Sequence, residues 1–333
     1  MEIMTLAPGE KISREGLYDI PLDVYHSDIC EGHSTSKTPM MEMIQRTPFH
    51  YHRNSYLNPN RPGKETKAKT LGQIAHAKLF GDKHFERLFE IAPFENWNTN
   101  EGLWTVTKKK AWKAEVLFAG KQIVMTRDLE TVREMEAVLL DTPEIQGGLF
   151  RGEVELSMIW KDPETGIWIK SRPDVLPADD WFADYKTQSD LDWHALQRDI
   201  AGWGYRNQAA LAAEGMLHLT GRMLTDFVLV FQEPKFPYAV RIEHLAEDQI
   251  ERGAQENRAA LRKIANCLER NEWPSYTVSP YGIGLMKWEK EEGEKLTGLD
   301  EDLPEPPEWV ERLKQESAAK RAADDEASQR GVA

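Results

Sequence analysis

An α/β fold, with helices flanking a mixed sheet, is the class this sequence predicts, and three observations carry it. Apolar residues recur at helical spacing in several stretches on both sides of the chain's middle. Between residues 153 and 186 the period changes to the two-residue alternation of strands. The continuous apolar run 224–231 has the length and composition of a strand covered on both faces. With 333 residues, 40% hydrophobic and 29% charged, the chain can bury a sizeable core.

Taken in order, residues 1–35 mix Pro, Gly and short apolar pairs and read as a lead-in with a small strand near Gly16–Ile20. The main domain is placed at 36–300, and 301–333 is read as a charged, apolar-poor, flexible tail. From Thr38, Met40, Met41, Met43 and Ile44 give a short helix ending at Pro48. Residues 57–70 are turn-rich and basic, a linker or a phosphate-facing loop with Lys64, Lys67 and Lys69. Leu71, Ile74, Ala75, Leu79, Leu88 and Phe89 fit one amphipathic helix over 71–90, with His76 on it. Lys108, Lys109, Lys110 and Lys113 sit between Trp104, Trp112 and Phe118, either as a grip on a nucleic-acid backbone or as a solvated face whose tryptophans anchor the other side. Residues 127–140, 193–218 and 246–271 read as further long helices.

Three antiparallel strands are predicted at the centre. Glu153–Lys161 and Ile167–Arg172 form a hairpin around a turn at 162–166, and the strand Trp181–Lys186 follows Pro173-Asp174. Val240–His244 is placed beside the buried apolar strand.

Composition limits the function. The formal net charge of -14 argues against broad attraction to nucleic acid or anionic membrane, so any nucleic-acid contact must be local. Cys30 and Cys267 stand far apart with no second cysteine or histidine at ligand spacing, which sets aside zinc and iron–sulfur sites. No apolar run approaches the ~20 residues of a membrane span and no leader is evident, so a cytoplasmic location is expected.

The chemistry concentrates at Asp174, Asp184 and Lys186. Alternation places Asp184 and Lys186 on one strand face and Tyr185 on the other. Two acids and a lysine converging on a sheet suit a hard divalent cation such as magnesium, which prefers carboxylate oxygens, water and phosphate. A lysine beside that ion can orient water and stabilise developing negative charge.

Pro173-Asp174 followed by Asp184-Tyr185-Lys186 resembles the PD-(D/E)xK nuclease signature, in the Asp-x-Lys form of RecB-type nuclease domains and RecE-type phage exonucleases. Other elements follow in matching order. Gly72 and His76 resemble the Gly-x-x-x-His helix of RecB-like enzymes, and Glu155 before Ser157 and Trp160 resembles the RecE-type strand carrying an acid ahead of the signature. Gln208, 22 residues past Lys186, resembles the glutamine motif of the following helix, although Ala212 stands where that motif carries tyrosine, with Tyr205 one turn upstream as a substitute. The stretch Thr47-Pro48-Phe49-His50-Tyr51 resembles a segment near the start of RecE-like domains.

The resemblance implies a restriction-endonuclease-like core with a central mixed sheet. It further implies that His76, Asp174, Asp184 and the carbonyl of Tyr185 bind Mg2+ (or Mn2+ in its place), that Lys186 positions water, and that Glu155 and Gln208 assist. Glu153 competes with Glu155 for that role by alternation. The implied activity is exonucleolytic hydrolysis of linear double-stranded DNA, 5′ to 3′, leaving 3′ single-stranded ends for a RecT-like annealing partner. A homo-oligomeric ring of phage origin would carry Lys64, Lys67, Lys69 and Lys108–Lys110 around the duplex. The alternative is a non-catalytic DNA-end or annealase-docking module on the same fold.

Overall fold

The computed structural model describes residues 2–61, 71–79, 81–154, 156–178 and 180–276, and within it the central hairpin forms as expected. Ser157–Lys161 pairs antiparallel with Trp168–Ser171, Met158 lying opposite Ser171 and Lys161 opposite Trp168. Asp162 closes the connecting turn, its carboxylate accepting from the Thr165 backbone N–H (2.8 Å) and hydroxyl (2.6 Å). Around this hairpin a five-stranded mixed sheet assembles in the order Ile3–Met4, Gly16–Tyr18, Ser157–Lys161, Trp168–Ser171, Ser34–Ser36. The outermost pair on each side is parallel and the inner pairs are antiparallel.

The expected three-stranded antiparallel unit does not form. Val175–Pro177 pairs instead with Gly152–Val154 in a separate ribbon. Trp181–Thr187 pairs in parallel with Asp226–Gln232, which in turn pairs antiparallel with Val240–His244. Two physical causes redirect the pairing. Pro173 has no N–H to offer a ladder, and the strand Asp226–Gln232 is apolar on both faces, so it takes a position inside the fold where it can be covered twice. The predicted strand over 153–161 is likewise divided: residues 152–154 belong to the ribbon and 157–161 to the larger sheet.

Two predicted helices are each broken at a glycine. Residues 71–90 make the helices Leu71–Leu79 and Asp82–Leu88, separated at Gly81, and then the strand Phe89–Ile91, which pairs in parallel with Gln122–Val124. Residues 193–218 divide into Trp193–Gly202 and Tyr205–Thr220 around Gly204, whose φ of +67° lies in the left-handed region and whose Cβ, if it had one, would stand 2.5 Å from Met41 Sδ. The helices Lys37–Gln45, Thr126–Leu140 and Glu247–Arg270 lie where the periodicity places them. None of the described helices is long and apolar enough to cross a membrane.

The three-stranded sheet lies between two cores. Phe182, Leu229 and Phe231 face one, with the helices Tyr205–Thr220 and Glu247–Arg270 contributing Leu211, Met216, Leu261 and Ile264. Tyr185, Val228 and Val230 face the other, against Ile74, Leu129, Val132 and Met135. Burial of each such large side chain contributes about 1.5–3 kcal/mol, so the sheet's position is specified from both sides. By contact density Met1–Tyr276 forms one unit; residues 277–333, with the expected tail at 301–333, lie outside the described residues.

The helices Tyr205–Thr220 and Glu247–Arg270 touch at Gly253. There a Cβ would stand 2.5 Å from the Arg206 carbonyl oxygen, while Asn207 and Asn257 bond each other across the contact at 3.2 Å. Alanine would improve helix propensity by about 1 kcal/mol. The clash is with backbone, which cannot rotate away, and overpacking of this kind costs about 1–3 kcal/mol. Gly253→Ala should therefore lower the urea midpoint; an unchanged or raised midpoint would show that the two helices can separate freely.

Candidate active site

Asp184 and Lys186 extend the Phe182 face of their strand towards the Tyr205–Thr220 helix, where apolar cover gives way to polar side chains. Asp184 is only 1% exposed. Its Oδ1 accepts from Gln208 Nε2 at 2.8 Å. Its Oδ2 meets Lys186 Nζ as a close ion pair but has no hydrogen-bond partner of proper geometry, leaving a buried oxygen incompletely satisfied. Lys186 in turn lies over the Tyr205 ring, 5.4 Å from its centre.

Asp174 comes to the same place from a loop. Its Oδ2 accepts from the Tyr185 backbone N–H at 3.1 Å, and its Oδ1 meets His76 Nε2 at 2.7 Å. The carboxylate thus does for the edge of the Asp184 strand what a neighbouring strand would have done. An extended residue directs its N–H and C=O to the same edge, so the Tyr185 carbonyl leaves the strand on the Asp174 side as well. The Tyr185 ring points the other way into the second core, its hydroxyl donating to Gln232 Oε1 at 2.7 Å.

His76 reaches Asp174 because its helix lies hard against the strand's end. At Gly72 a Cβ would stand 2.1 Å from Thr187 Oγ1, so the glycine four residues before the histidine is required by this approach rather than by backbone conformation. The strand entering Asp174 is anchored by Lys170, which is 2% exposed and donates to the carbonyls of Tyr25 (2.8 Å) and Ser27 (3.1 Å) and to the Tyr56 hydroxyl (3.2 Å). A cleft of about 390 Å³ opens over the site, with His76, Asp174, Arg172 and Lys186 on its walls.

The electrostatics follow from burial and from these neighbours. Burial alone would raise the Asp174 carboxyl, but the charges of His76 and Lys186, with the bonds from His76 and the Tyr185 N–H, hold it below the usual range. Burial and the charge of Asp174 push Asp184 up to about 6, against the pull of Lys186. Burial works against the Lys186 ammonium, yet Asp184 and Asp174 raise it above the ordinary lysine value.

A divalent cation fits this chemistry. The donors are mostly hard oxygens, two carboxylates are held close in low dielectric, and one buried oxygen has the Lys186 ammonium beside it but no well-formed hydrogen bond. The fit is with an open set: among the described residues no three His, Cys, Asp or Glu side chains already converge as a closed ligand group, and His76 Nε2 is engaged by Asp174.

Of the residues singled out from the sequence, the fold brings together His76, Asp174, Asp184, Tyr185, Lys186 and Gln208. Glu155, Lys64, Lys67 and Lys69 lie outside the described residues. Glu153 is exposed on the separate ribbon. Lys108 and Lys110 are exposed, but Lys109 is corrected. It is fully buried, donating to the carbonyls of Asn96 and Thr99 and to Glu101 (2.7 Å), because the 96–101 loop needs a cation to gather its acceptors. Trp104 and Trp112 pack with Phe94 and Trp97 on the other side of that helix, whereas Phe118 is 96% exposed. Ala212 is buried in the core, while Tyr205 stands at the site under Lys186. Lys37 was not expected there. Its Nζ donates to the Trp203 carbonyl (2.9 Å) and lies 5.9 Å from the Tyr205 ring centre; burial and the charge of Lys186 lower its pKa to about 8. The one available signal was a lysine in a helix's first turn, where the backbone dipole disfavours a cation.

The mixed sheets, the covering helices and the Asp–Asp–Lys cluster at the strand edge define a PD-(D/E)xK fold of the restriction-endonuclease type. Residues 41–279 match the family described as PDDEXK-like domain of unknown function (DUF3799), and the chain belongs to that family. Enzymes of the PD-(D/E)xK class generally use divalent metal ions. No curated protein matches the chain significantly. Among solved structures it is similar to a protein named "Putative exonuclease" from Eubacterium rectale, with 13% identity, a TM-score of 0.50, and coverage of 88% of this chain and 97% of that one. At that identity the likeness concerns the fold. An alkaline exonuclease from Laribacter hongkongensis is 14% identical over 53% of this chain and 89% of its own, with a TM-score of 0.21, an overlap too slight to carry an argument.

If Asp184 is held neutral-leaning by burial and by Asp174, its ionisation costs the metal-free protein stability. The cost is absent below the ordinary carboxylate value of 3.8 and complete once pH has risen through about 6. Asp184→Asn, measured by thermal melting in chelator, should therefore be more stable than the native chain at about pH 7.5, by on the order of 1–3 kcal/mol, with the gain fading as pH falls towards 4. A pH-independent difference would contradict this account.

Proposed function

We propose that the chain is a metal-dependent deoxyribonuclease that hydrolyses phosphodiester bonds of linear double-stranded DNA. The observation that carries the reading is the buried, incompletely satisfied Asp184 held beside Asp174 and Lys186. Asp174 and Asp184 would hold the ion, with His76 and the Tyr185 carbonyl as further donors, and Mg2+ is the species whose preference for hard oxygens matches them, Mn2+ substituting. When bound, such an ion supplies Lewis acidity at the phosphoryl oxygen and lowers the pKa of coordinated water.

The chain's own groups have separate tasks. Gln208 fixes the Asp184 carboxylate through Oδ1, leaving Oδ2 directed at the site. Without the ion, His76 and the Tyr185 N–H orient Asp174. Lys186, kept protonated by the two acids, offers the N–H donors not turned to Asp184 to a water molecule or a phosphate oxygen. Glu155 remains a proposed contributor on the strength of the resemblance.

The same resemblance supports 5′-to-3′ digestion yielding 3′ single-stranded ends, a RecT-like annealing partner, phage origin with action in the bacterial cytoplasm, and a homo-oligomeric ring. Lys64, Lys67, Lys69, Lys108 and Lys110 would face the duplex in that ring, which would confine positive charge to the channel of an otherwise acidic protein. The open ligand set favours a second reading, a non-catalytic DNA-end or annealase-docking module on the same fold.

Incubation of duplexes labelled at either the 5′ or the 3′ end, with Mg2+ or Mn2+, separates these readings and gives direction on one gel. Asp184→Ala and Lys186→Ala should each slow cleavage at least about a hundredfold while still binding DNA. DNA binding without cleavage by the native chain would leave the docking module.

A further inference from the structure

The Asp184 site contains a second lysine that neither the signature nor the family description assigns. Lys37 opens the helix Lys37–Gln45, directly after the strand Ser34–Ser36, and its ammonium shares the Tyr205 ring with Lys186. It is close enough to both Lys186 and Asp184 for their charges to act on it.

No carboxylate in contact accounts for a cation at this point among the described residues. It stands in the first turn of a helix, against the dipole, and beside a like charge. Its one hydrogen-bond acceptor among the described residues is the Trp203 carbonyl, and no carboxylate pairs with it. The tie to that turn is duplicated, since Gln45 at the other end of the same helix already donates to the Gly202 carbonyl at 2.8 Å and more weakly to Ala201 at 3.4 Å. An ammonium has three N–H donors, and with one committed to Trp203 two are left for a ligand. A carbonyl and an aromatic ring hold it in place without neutralising it.

We propose that Lys37 is a phosphate-binding residue of this site, gripping a backbone phosphate next to the one beside Lys186, with Tyr205 as the positioning residue that keeps the two ammonium groups apart. The two ammonium groups lie 5.9 Å and 5.4 Å from the centre of the same ring. A nucleic-acid strand presents successive anions on one backbone, and two cations held separately on one platform suit that pattern better than a single free phosphate ion. This assignment rests on the nuclease reading for the nature of the substrate, but it can be tested without turnover.

The test uses the full chain and a fluorescein-labelled DNA duplex, with binding followed by anisotropy in chelator across a range of salt concentrations and cleavage followed separately with Mg2+. Lys37→Met should weaken binding about tenfold and lower the salt dependence of log K by about one phosphate's worth, with Lys37→Arg restoring both. In cleavage the same loss should fall on KM, with kcat changed by less than about threefold. Circular dichroism and melting of Lys37→Met establish that it folds, and if it does not, Lys37→Gln takes its place. Unaltered binding and salt slope in a folded variant would overturn the proposal, as would a loss confined to kcat. Failure of the native chain to cleave would count against the nuclease reading alone, since the anisotropy result stands by itself.

Discussion

Two carboxylates brought together in an apolar interior cannot both carry charge unless cations and oriented N–H groups are supplied, and that constraint shapes much of the structure around Asp174 and Asp184. His76, the strand that carries both Lys186 and the Tyr185 N–H, and the Gln208 amide come from three different parts of the chain to meet it. Each also divides the two acids chemically. Asp174 receives the stronger compensation and stays ionised, while Asp184 is pushed towards neutrality and keeps an oxygen without a proper partner. An asymmetric pair of this kind holds its negative charge in readiness for an incoming cation, where a fully neutralised pair would have no use for one.

The scaffold serves this arrangement by covering the Asp184 strand on both faces. With Phe182 in one core and Tyr185 in the other, the strand cannot slip by one residue without exchanging its buried and polar sets. The two functional side chains are therefore held by the packing of their neighbours. Close approaches do the rest: Gly72 brings the His76 helix against Thr187, Gly204 turns the chain so that Tyr205 lies under Lys186, and Gly253 lets the long helix back the one that carries Gln208.

Much of the site could be read in the sequence because its members sit in short, ordered stretches: Asp174 after Pro173, Asp184 two residues before Lys186, His76 four after Gly72. Strand alternation correctly separated Asp184 and Lys186 from Tyr185. It failed where pairing partners had to be chosen. Adjacent strands in sequence were expected to pair, whereas the Asp184 strand took the apolar strand 226–232 and left its other edge to an aspartate side chain. Apolar periodicity continues across Gly81 and Gly204 and so does not show the helix breaks at either. Lys109 illustrates a different limit. Its neighbours Lys108 and Lys110 are exposed as a charged run suggests, but the acceptors that bury it come from the loop at 96–101, which no spacing rule connects to it.

What the sequence by itself determined, then, was the class of fold, the strand face of Asp184 and Lys186, and the family resemblance, all of which depend on local order and period. The tertiary structure decided which edge Asp174 occupies, how unequally the two acids are compensated, and that Lys37 joins them from 147 positions before Asp184. The reason is physical. Period and spacing are properties of one segment, whereas burial, charge proximity and an unsatisfied oxygen arise only when segments distant along the chain exclude water from the same few ångströms.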